Sequence, residues 1–377
     1  MSWDIVGMSA IACLGETPVD VYRALCAGQT GVAPLRTFDA SKYRVRNAYE
    51  IDDRPIPGQD EPFRATRWLC RVVDEALRDA GLRDEAENLP VLVGTTLREL
   101  RSGELWWRDG LTLAPADLHF ARALRDTIGT RDTQTIASAC AASLYALGMG
   151  TDLIGLGTAD AVVVAGTDSI TESSFGALDR VQNPAPASIR PFDRDRKGMI
   201  MGEGAVAVVL RKSGMHPGPV HATVRGVSMN CDASHPTVPD PASVARAIRD
   251  AQERAEVKAR DVDFVIVHGS GTGHNDVAEA QALHEVFDDA PPGPLVTSIK
   301  SGAGHTCGGS GLLSLVMAVL ALRNGAVPPI RDLNTPIPES QGLSLVGPEP
   351  AVGSFSVAQI NAIGLGGINA VAIVGAA

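Results

Sequence analysis

Five short runs of small and β-branched residues constrain this chain most: LPVLVGTT (89–96), ADAVVVAGTD (159–168), GEGAVAVVL (202–210), VDFVIVHG (262–269) and AVAIVGA (370–376). Their apolar residues come consecutively rather than alternately, the pattern of a strand covered on both faces. Between them lie segments with apolar residues at helical spacing. RATRWLCRVVDEALRDAG (64–81) stops at Gly81, and PASVARAIRDAQERA (241–255) opens with Pro in its first turn. Doubly covered strands alternating with helices predict an α/β protein with central sheets. Aromatic residues make up only 4% of the chain while 39 residues are glycine, so the layers must approach on small side chains.

Two stretches share one plan. TIASACAASLYALGMGTDLIGLG (135–157) and TSIKSGAGHTCGGSGLLSLVMAVLALRNG (297–325) each pass from a strand-like start, through a small-residue turn, into an apolar helix. Together they predict two duplicated halves, 1–213 and 214–377, divided at the turn-rich linker RKSGMHPGPV (211–220).

A net charge of -11 argues against nucleic acid as the main partner, because phosphate binding needs a basic field. It leaves room for a local basic patch facing an acidic carrier protein. The opening MSWDIVGMSAIACLG has neither the basic start nor the cleavage pattern of a signal peptide. The longest apolar run, GLLSLVMAVLAL (311–322), is too short to span a bilayer. The expectation is a soluble cytoplasmic protein without a membrane segment. Six cysteines (13, 26, 70, 140, 231 and 307) stand without CxxC spacing, which predicts neither a disulfide framework nor a metal site.

Four pieces carry chemistry. Cys140 stands among small residues where a strand turns into a helix. There it is either a buried small hydrophobe or a nucleophile whose thiolate the helix N-terminus favours. The free N–H groups of such a turn can also hold an oxyanion. His268 ends an apolar run ahead of a Gly/Ser/Thr loop, as a structural histidine or one that meets substrate. Asp276 and Glu279, three apart, share a face at a helix start. Lys300 and His305 flank a glycine-containing turn that opens into an apolar helix; a cation favours a nearby thiolate, and a neutral imidazole can donate or accept a proton. Glycines bracket Leu365 in NAIGLGGINAVAIV (361–374), a tight backbone usable as a second oxyanion donor.

In this order the stretches resemble the β-ketoacyl synthase family of the thiolase fold. GMSAIACLGETPVDVYRALCAGQTGV is similar to the family's opening, RPFDRDRKGMIMGEGAVAVVL to its mid-chain signature, NCDASHPTVPDP to the start of its second half, and GLGGINA to its closing GFGGTNA motif. The resemblance covers nearly the whole chain. It implies a layered α-β-α-β-α core, Cys140 as nucleophile, and His268 and His305 as the catalytic pair, with Lys300 supporting His305 and the charge of the site. It further implies Ser270 and Thr272 on the pantetheine arm, Asp276 and Glu279 as structural acids, and an oxyanion hole from the N–H groups of Cys140 and Leu365. The implied reaction is transfer of an acyl thioester to Cys140, then decarboxylative condensation with a malonyl-type thioester. Substrates ride on phosphopantetheine, delivered by acyl carrier protein or CoA, and no cofactor is tightly bound. A homodimer is expected, with a heterodimer with a second ketosynthase-like subunit as the alternative.

Three departures bear on substrate. Leu365 replaces the gating aromatic of GFGG, Met199 stands where an aromatic is common, and Ile368 replaces the threonine of GGTNA. All three are expected around the acyl channel and predict an unusual or roomier pocket. The 104–132 segment is short for the family; its Trp106 and Trp107 line an interface, line the tunnel, or belong to the core. Polyketide or specialised fatty-acid synthesis is favoured. Two alternatives stay open: acyl transfer to an alcohol or amine without decarboxylation, and a chain-length-factor-like partner subunit. Biosynthetic thiolases share the fold, but the two-histidine pattern fits them less well.

Overall fold

The computed structural model describes residues 1–56, 59–110, 112–289 and 292–377. Eleven strands form one mixed sheet: β1 (Trp3–Ala12), β2 (Val91–Gly94), β3 (Thr133–Ile136), β4 (Ala161–Asp168), β5 (Gly204–Lys212), β6 (Ala222–Cys231), β7 (Phe264–Ile266), β8 (Leu295–Thr297), β9 (Ser344–Leu345), β10 (Val357–Gly364) and β11 (Ile368–Ala376). Their order is β9-β8-β7-β10-β11-β6-β1-β5-β4-β2-β3. From the centre outward, β1-β5-β4-β2-β3 and β6-β11-β10-β7-β8 repeat one pattern: two antiparallel pairings, then two parallel ones. Among the described residues, the two sets pair where Trp3–Ile5 of β1 meets Ala222–Val224 of β6.

The side-chain period of two divides each central strand between two cores. In β4, Val162 and Val164 enter a central cluster while Val163 and Ala165 enter an outer one. In β11, Ala370, Ala372 and Val374 face the centre, and Val371 and Ile373 face the other outer cluster. This double burial explains why these strands read as continuous apolar runs.

Helices fill the layers according to their patterning. Helix α1 (Pro18–Cys26) is capped by the Thr17 side chain, with Pro18 in its first turn. Helix α2 (Arg64–Asp79) buries one stripe, including Trp68, Leu69, Val72, Val73 and Ala76, against the outer face of β1, β5 and β4. After three shorter helices (Leu100–Glu104, Trp106–Asp109 and Ala121–Ile128) come α3 (Ala142–Gly155) and α4 (Glu172–Val181). Helices α5 (Pro241–Arg254) and α6 (Gly273–Phe287) cover the outer face of the second strand set. Helix α7 (Ser310–Asn324) is apolar all round, and with α3 it lies between the two sets. The result is the expected five-layer α-β-α-β-α arrangement. The apolar helical stretch is longer than the run 311–322: the 18 residues Cys307–Asn324 have mean hydropathy 1.4, enough by length and composition to cross a membrane. It is 89% buried in the protein, and is a core helix.

The layers touch at glycines. A Cβ on Gly166 of β4 would lie 2.8 Å from Gly309 Cα, and one on Gly311 would lie 2.7 Å from Leu144 Cγ. These contacts press the start of α7 onto the first strand set and against α3.

Candidate active site

Cys140 occupies a 3-10 turn, Ala139–Ala141, between β3 and α3. Ala139 adopts φ 47°, a left-handed conformation that costs energy for a residue with a Cβ and makes the turn sharp. The turn leaves Cys140 7% exposed, with its own N–H and that of Leu365 donating toward the sulfur. Leu365 holds that position because β10 ends at Gly364, where Cβ space is limited by Ala139 and Cys140.

His305 and His268 come from the second half of the chain. His305 Nε2 lies 3.0 Å from Cys140 Sγ. The His268 ring stands edge-on to His305, with centroids 5.3 Å apart and planes at 89°. Both backbones are gripped. The His268 and Gly269 N–H groups donate to Glu279 at 2.7 and 2.9 Å, while Lys300 Nζ donates to the His268 carbonyl. Asn361 Nδ2 also donates to Glu279, at 3.1 Å. The His305 N–H donates to the Ile200 carbonyl at 3.2 Å, and the Gly202 N–H donates to the His305 carbonyl at 2.9 Å.

Burial dominates the electrostatics. It holds both imidazoles well below their usual range, with the charge of Lys300 acting in the same direction. Nδ1 of each ring is buried without a partner among the described residues. Two neutral rings therefore face the sulfur. Burial pushes the Cys140 thiol up to about 11, while Lys300 and the N–H groups of Leu365 and Cys140 pull it down. The thiolate expected from a helix N-terminus is thus not the resting form, because desolvation outweighs the donors. At neutral pH the resting pair is a thiol beside a neutral imidazole. Burial also lowers Lys300, against the charge of Glu279, and raises Glu279 against its N–H donors.

Asp276 is a backbone clamp. It accepts the Phe192 N–H at 2.9 Å and the Gly271 N–H at 3.1 Å. Thr272 caps α6 through Asn275, and its hydroxyl lies 2.9 Å from that of Ser270. A cavity of about 510 Å³ holds Cys140 and His268 together with Ser270, Thr272, Met199 and Leu365. Leu365 is 49% exposed at its rim. Ile368 is a correction: it is not among the described residues lining the cavity. It opens β11 opposite Gly364, and its side chain packs against the central core.

Several other groups have plain roles. Cys307 is buried, with its thiol 3.7 Å from the His305 carbonyl. Arg190 and Arg196 are tied to Asp193 and to backbone carbonyls. Trp106 and Trp107 are 64% and 72% exposed, which removes the core assignment. Leu111, inside the 104–132 segment, lies outside the described residues. Nitrogen and sulfur atoms of Cys140, His268 and His305 lie within 4.8 Å of one another, a set a soft cation could use, but the buried Lys300 ammonium opposes a second positive charge there.

Two site residues escaped the sequence reading. Asn361 had a faint signal, a polar residue inside the apolar run of β10. Gln182, which lines the cavity, had none.

Comparison with known proteins agrees with this geometry. Residues 130–215 match the model of the β-ketoacyl synthase N-terminal domain, and 221–334 that of the C-terminal domain. The tetracenomycin polyketide synthase ketoacyl synthase alpha subunit of Streptomyces glaucescens is 34% identical, over 89% of this chain and 88% of that protein. This chain belongs to the β-ketoacyl synthase family. A second relative, 3-oxoacyl-[acyl-carrier-protein] synthase 2 of Synechocystis, is 31% identical over 97% of this chain and 95% of that protein. The solved structure of the ishigamide ketosynthase/chain length factor superposes with a TM-score of 0.90 at 28% identity, covering 100% of this chain and 99% of that one. A type II polyketide ketosynthase solved with its acyl carrier protein has a TM-score of 0.88 at 20% identity over 100% and 99% of the two chains, a likeness of fold.

Proposed function

We propose that the protein is a decarboxylating β-ketoacyl synthase working in polyketide or specialised fatty-acid synthesis. The observation that carries this is the convergence on one sulfur of two backbone N–H donors and two neutral imidazoles. Cys140 Sγ attacks the carbonyl of an acyl thioester delivered on a phosphopantetheine arm. The new S–C bond replaces the bond to the pantetheine sulfur, which leaves as a thiol with the proton of Cys140. The Cys140 and Leu365 N–H groups hold the tetrahedral oxyanion.

A malonyl-type thioester enters next, its arm lying along Ser270 and Thr272. Breakage of its carboxyl C–C bond releases CO2 and leaves the electron pair as an enolate. Neutral imidazoles with the proton on Nε2 donate to that enolate oxygen from His268 and His305. The enolate carbon then attacks the acyl-enzyme, and collapse expels the Cys140 thiolate and frees a β-ketoacyl thioester two carbons longer. Lys300 and Glu279 are positioning residues that hold the His268 backbone, and Asp276 is structural.

This reading takes 1–213 and 214–377 as duplicated halves, supported by the mirrored strand orders. It makes acyl carrier protein or CoA thioesters the substrate carriers. It also includes a second subunit, either a copy of this chain or a ketosynthase-like partner. The outer edge of β3 lacks a strand partner among the described residues, and Trp106 and Trp107 are exposed. A chain-length-factor role is disfavoured by the intact cysteine and histidine pair.

The test is intact-mass analysis after mixing with acyl-loaded and malonyl-loaded carrier proteins, with Cys140→Ala as control. An acyl adduct followed by a carrier product lengthened by two carbons supports the proposal. An adduct without extension favours acyl transfer to another acceptor. No adduct across a broad acyl panel favours the partner-subunit role.

A further inference from the structure

The rim of the cavity is held by a side chain rather than by a strand. Gln182 follows the last residue of α4, and its amide reaches across to the segment 197–200. The Met199 N–H donates to Gln182 Oε1 at 2.7 Å, and Gln182 Nε2 donates to the Met199 carbonyl at 3.0 Å. One side-chain amide thus satisfies both backbone groups of one residue, as a neighbouring strand would. Gly198 permits the approach: it has φ 137°, and a Cβ there would lie 2.0 Å from Gln182 Oε1.

The clamp has two neighbours that matter. Gln182 and Met199 both line the cavity that holds Cys140. One and three residues beyond Met199, Ile200 and Gly202 make the two backbone bonds that hold His305. The rim and the histidine therefore share one short stretch of chain, and the clamp anchors its outer end.

We infer that Gln182 is a positioning residue whose amide fixes Met199 at the cavity rim, and so sets how strongly the site discriminates between short and long chains reaching Cys140. This rests on the reading of Cys140 as the acylated residue. Without the amide, the Met199 backbone groups must turn to water and the rim loosens, admitting long chains with less selection. Two neutral hydrogen bonds are together equivalent to roughly five- to 150-fold in an equilibrium constant, and the part of this that distinguishes long from short chains is expected to be roughly three- to tenfold.

The experiment compares wild type with Gln182→Met, which keeps the length and removes both bonds, and Gln182→Glu, which keeps the acceptor for the Met199 N–H but sets a carboxylate oxygen against the Met199 carbonyl. Cys140 is alkylated with iodoacetamide and with N-octyl iodoacetamide, and both rates are read by peptide mass mapping. This readout needs only the thiol and its cavity, so it stands even if the wild type forms no acyl adduct with carrier proteins. The expected result is a long-to-short rate ratio raised in Gln182→Met, and raised by as much or less in Gln182→Glu. A purely structural role would lower the thermal midpoint and change both rates together. An unchanged ratio in both folded variants overturns the inference. If Gln182→Met does not fold, the ratio in Gln182→Glu decides alone.

Discussion

The turns that open α3 and α7 are built alike and do opposite things. Each is a 3-10 turn whose first residue is left-handed, Ala139 in one and Cys307 in the other, both at φ 47°. In the first turn the middle residue is Cys140, whose N–H and that of Leu365 approach its own sulfur at the edge of an open cavity. In the second the middle residue is Gly308, whose N–H donates to Asp168 Oδ2 at 2.7 Å. That carboxylate also accepts the Leu97 N–H at 2.7 Å, the Thr96 N–H at 3.0 Å and the Thr95 hydroxyl at 2.7 Å. A side chain at 308 has no room, since a Cβ would lie 2.5 Å from the Thr95 backbone.

Both turns therefore offer anion-binding N–H groups. One keeps them for a passing oxyanion, and the other fills them permanently with Asp168. Two residues before the left-handed position stand Ala137 in the first turn and His305 in the second. The closed turn thus still supplies a histidine to the open one. Duplication of a fold duplicates backbone electrostatics, and side chains decide which copy can react.

The sharpest way to break this contrast is to remove the two cysteines in turn. Cys140→Ala should abolish the acyl adduct, while Cys307→Ala should retain it, because alanine already occupies the matching left-handed position at Ala139. Loss of the adduct in Cys307→Ala, measured by intact mass, would mean that the second turn is not merely structural. Next in size is His305→Ala. Loss of an enolate donor is expected to slow malonyl decarboxylation by roughly 10²–10³-fold, with acylation of Cys140 affected less. Equal loss in both half-reactions, read from CO2 release and adduct formation, would remove the division of labour proposed for His305.

Gly308→Ala should destabilise the fold by about 1–3 kcal/mol through overpacking against backbone that cannot yield. A urea midpoint equal to wild type would show that the second turn has space for a side chain. The smallest effect concerns Asp168. Burial raises its carboxyl from 3.8 to about 6 in spite of the groups that donate to it. A raised folded-state value favours the protonated form, so its contribution is full below about 3.8 and is lost as pH rises through about 6. Relative to Asp168→Asn, wild type should gain unfolding free energy between pH 7 and pH 4. Urea midpoints whose difference moves the other way would contradict the assignment.

Much of this site was legible because it rests on local chemistry. Small residues around Cys140 announce a crowded turn, and glycines around Leu365 announce a tight hairpin. The acidic pair Asp276 and Glu279 marks a helix start, and both are buried there as backbone acceptors. Other features depend on partners remote in sequence. Asp168 closes an apolar run that was read as a strand, but nothing nearby reveals that Gly308, 140 residues away, donates to it. Ile368 was misjudged because a motif position does not say which face of a strand its side chain takes.

The sequence by itself determined the layered α/β architecture, since period and apolar content depend only on the order of residues. It also determined the chemical inventory: Cys140 in a small-residue turn, two histidines and a lysine. Only the tertiary structure decided that His305 is the ring 3.0 Å from the sulfur, with His268 edge-on to it. It alone decided that the resting thiol is raised to about 11 rather than lowered. The physical reason is common to both. Proton affinity and hydrogen-bond partnership are set by what surrounds a group after folding, and here burial and donors come from segments more than a hundred residues apart in the chain.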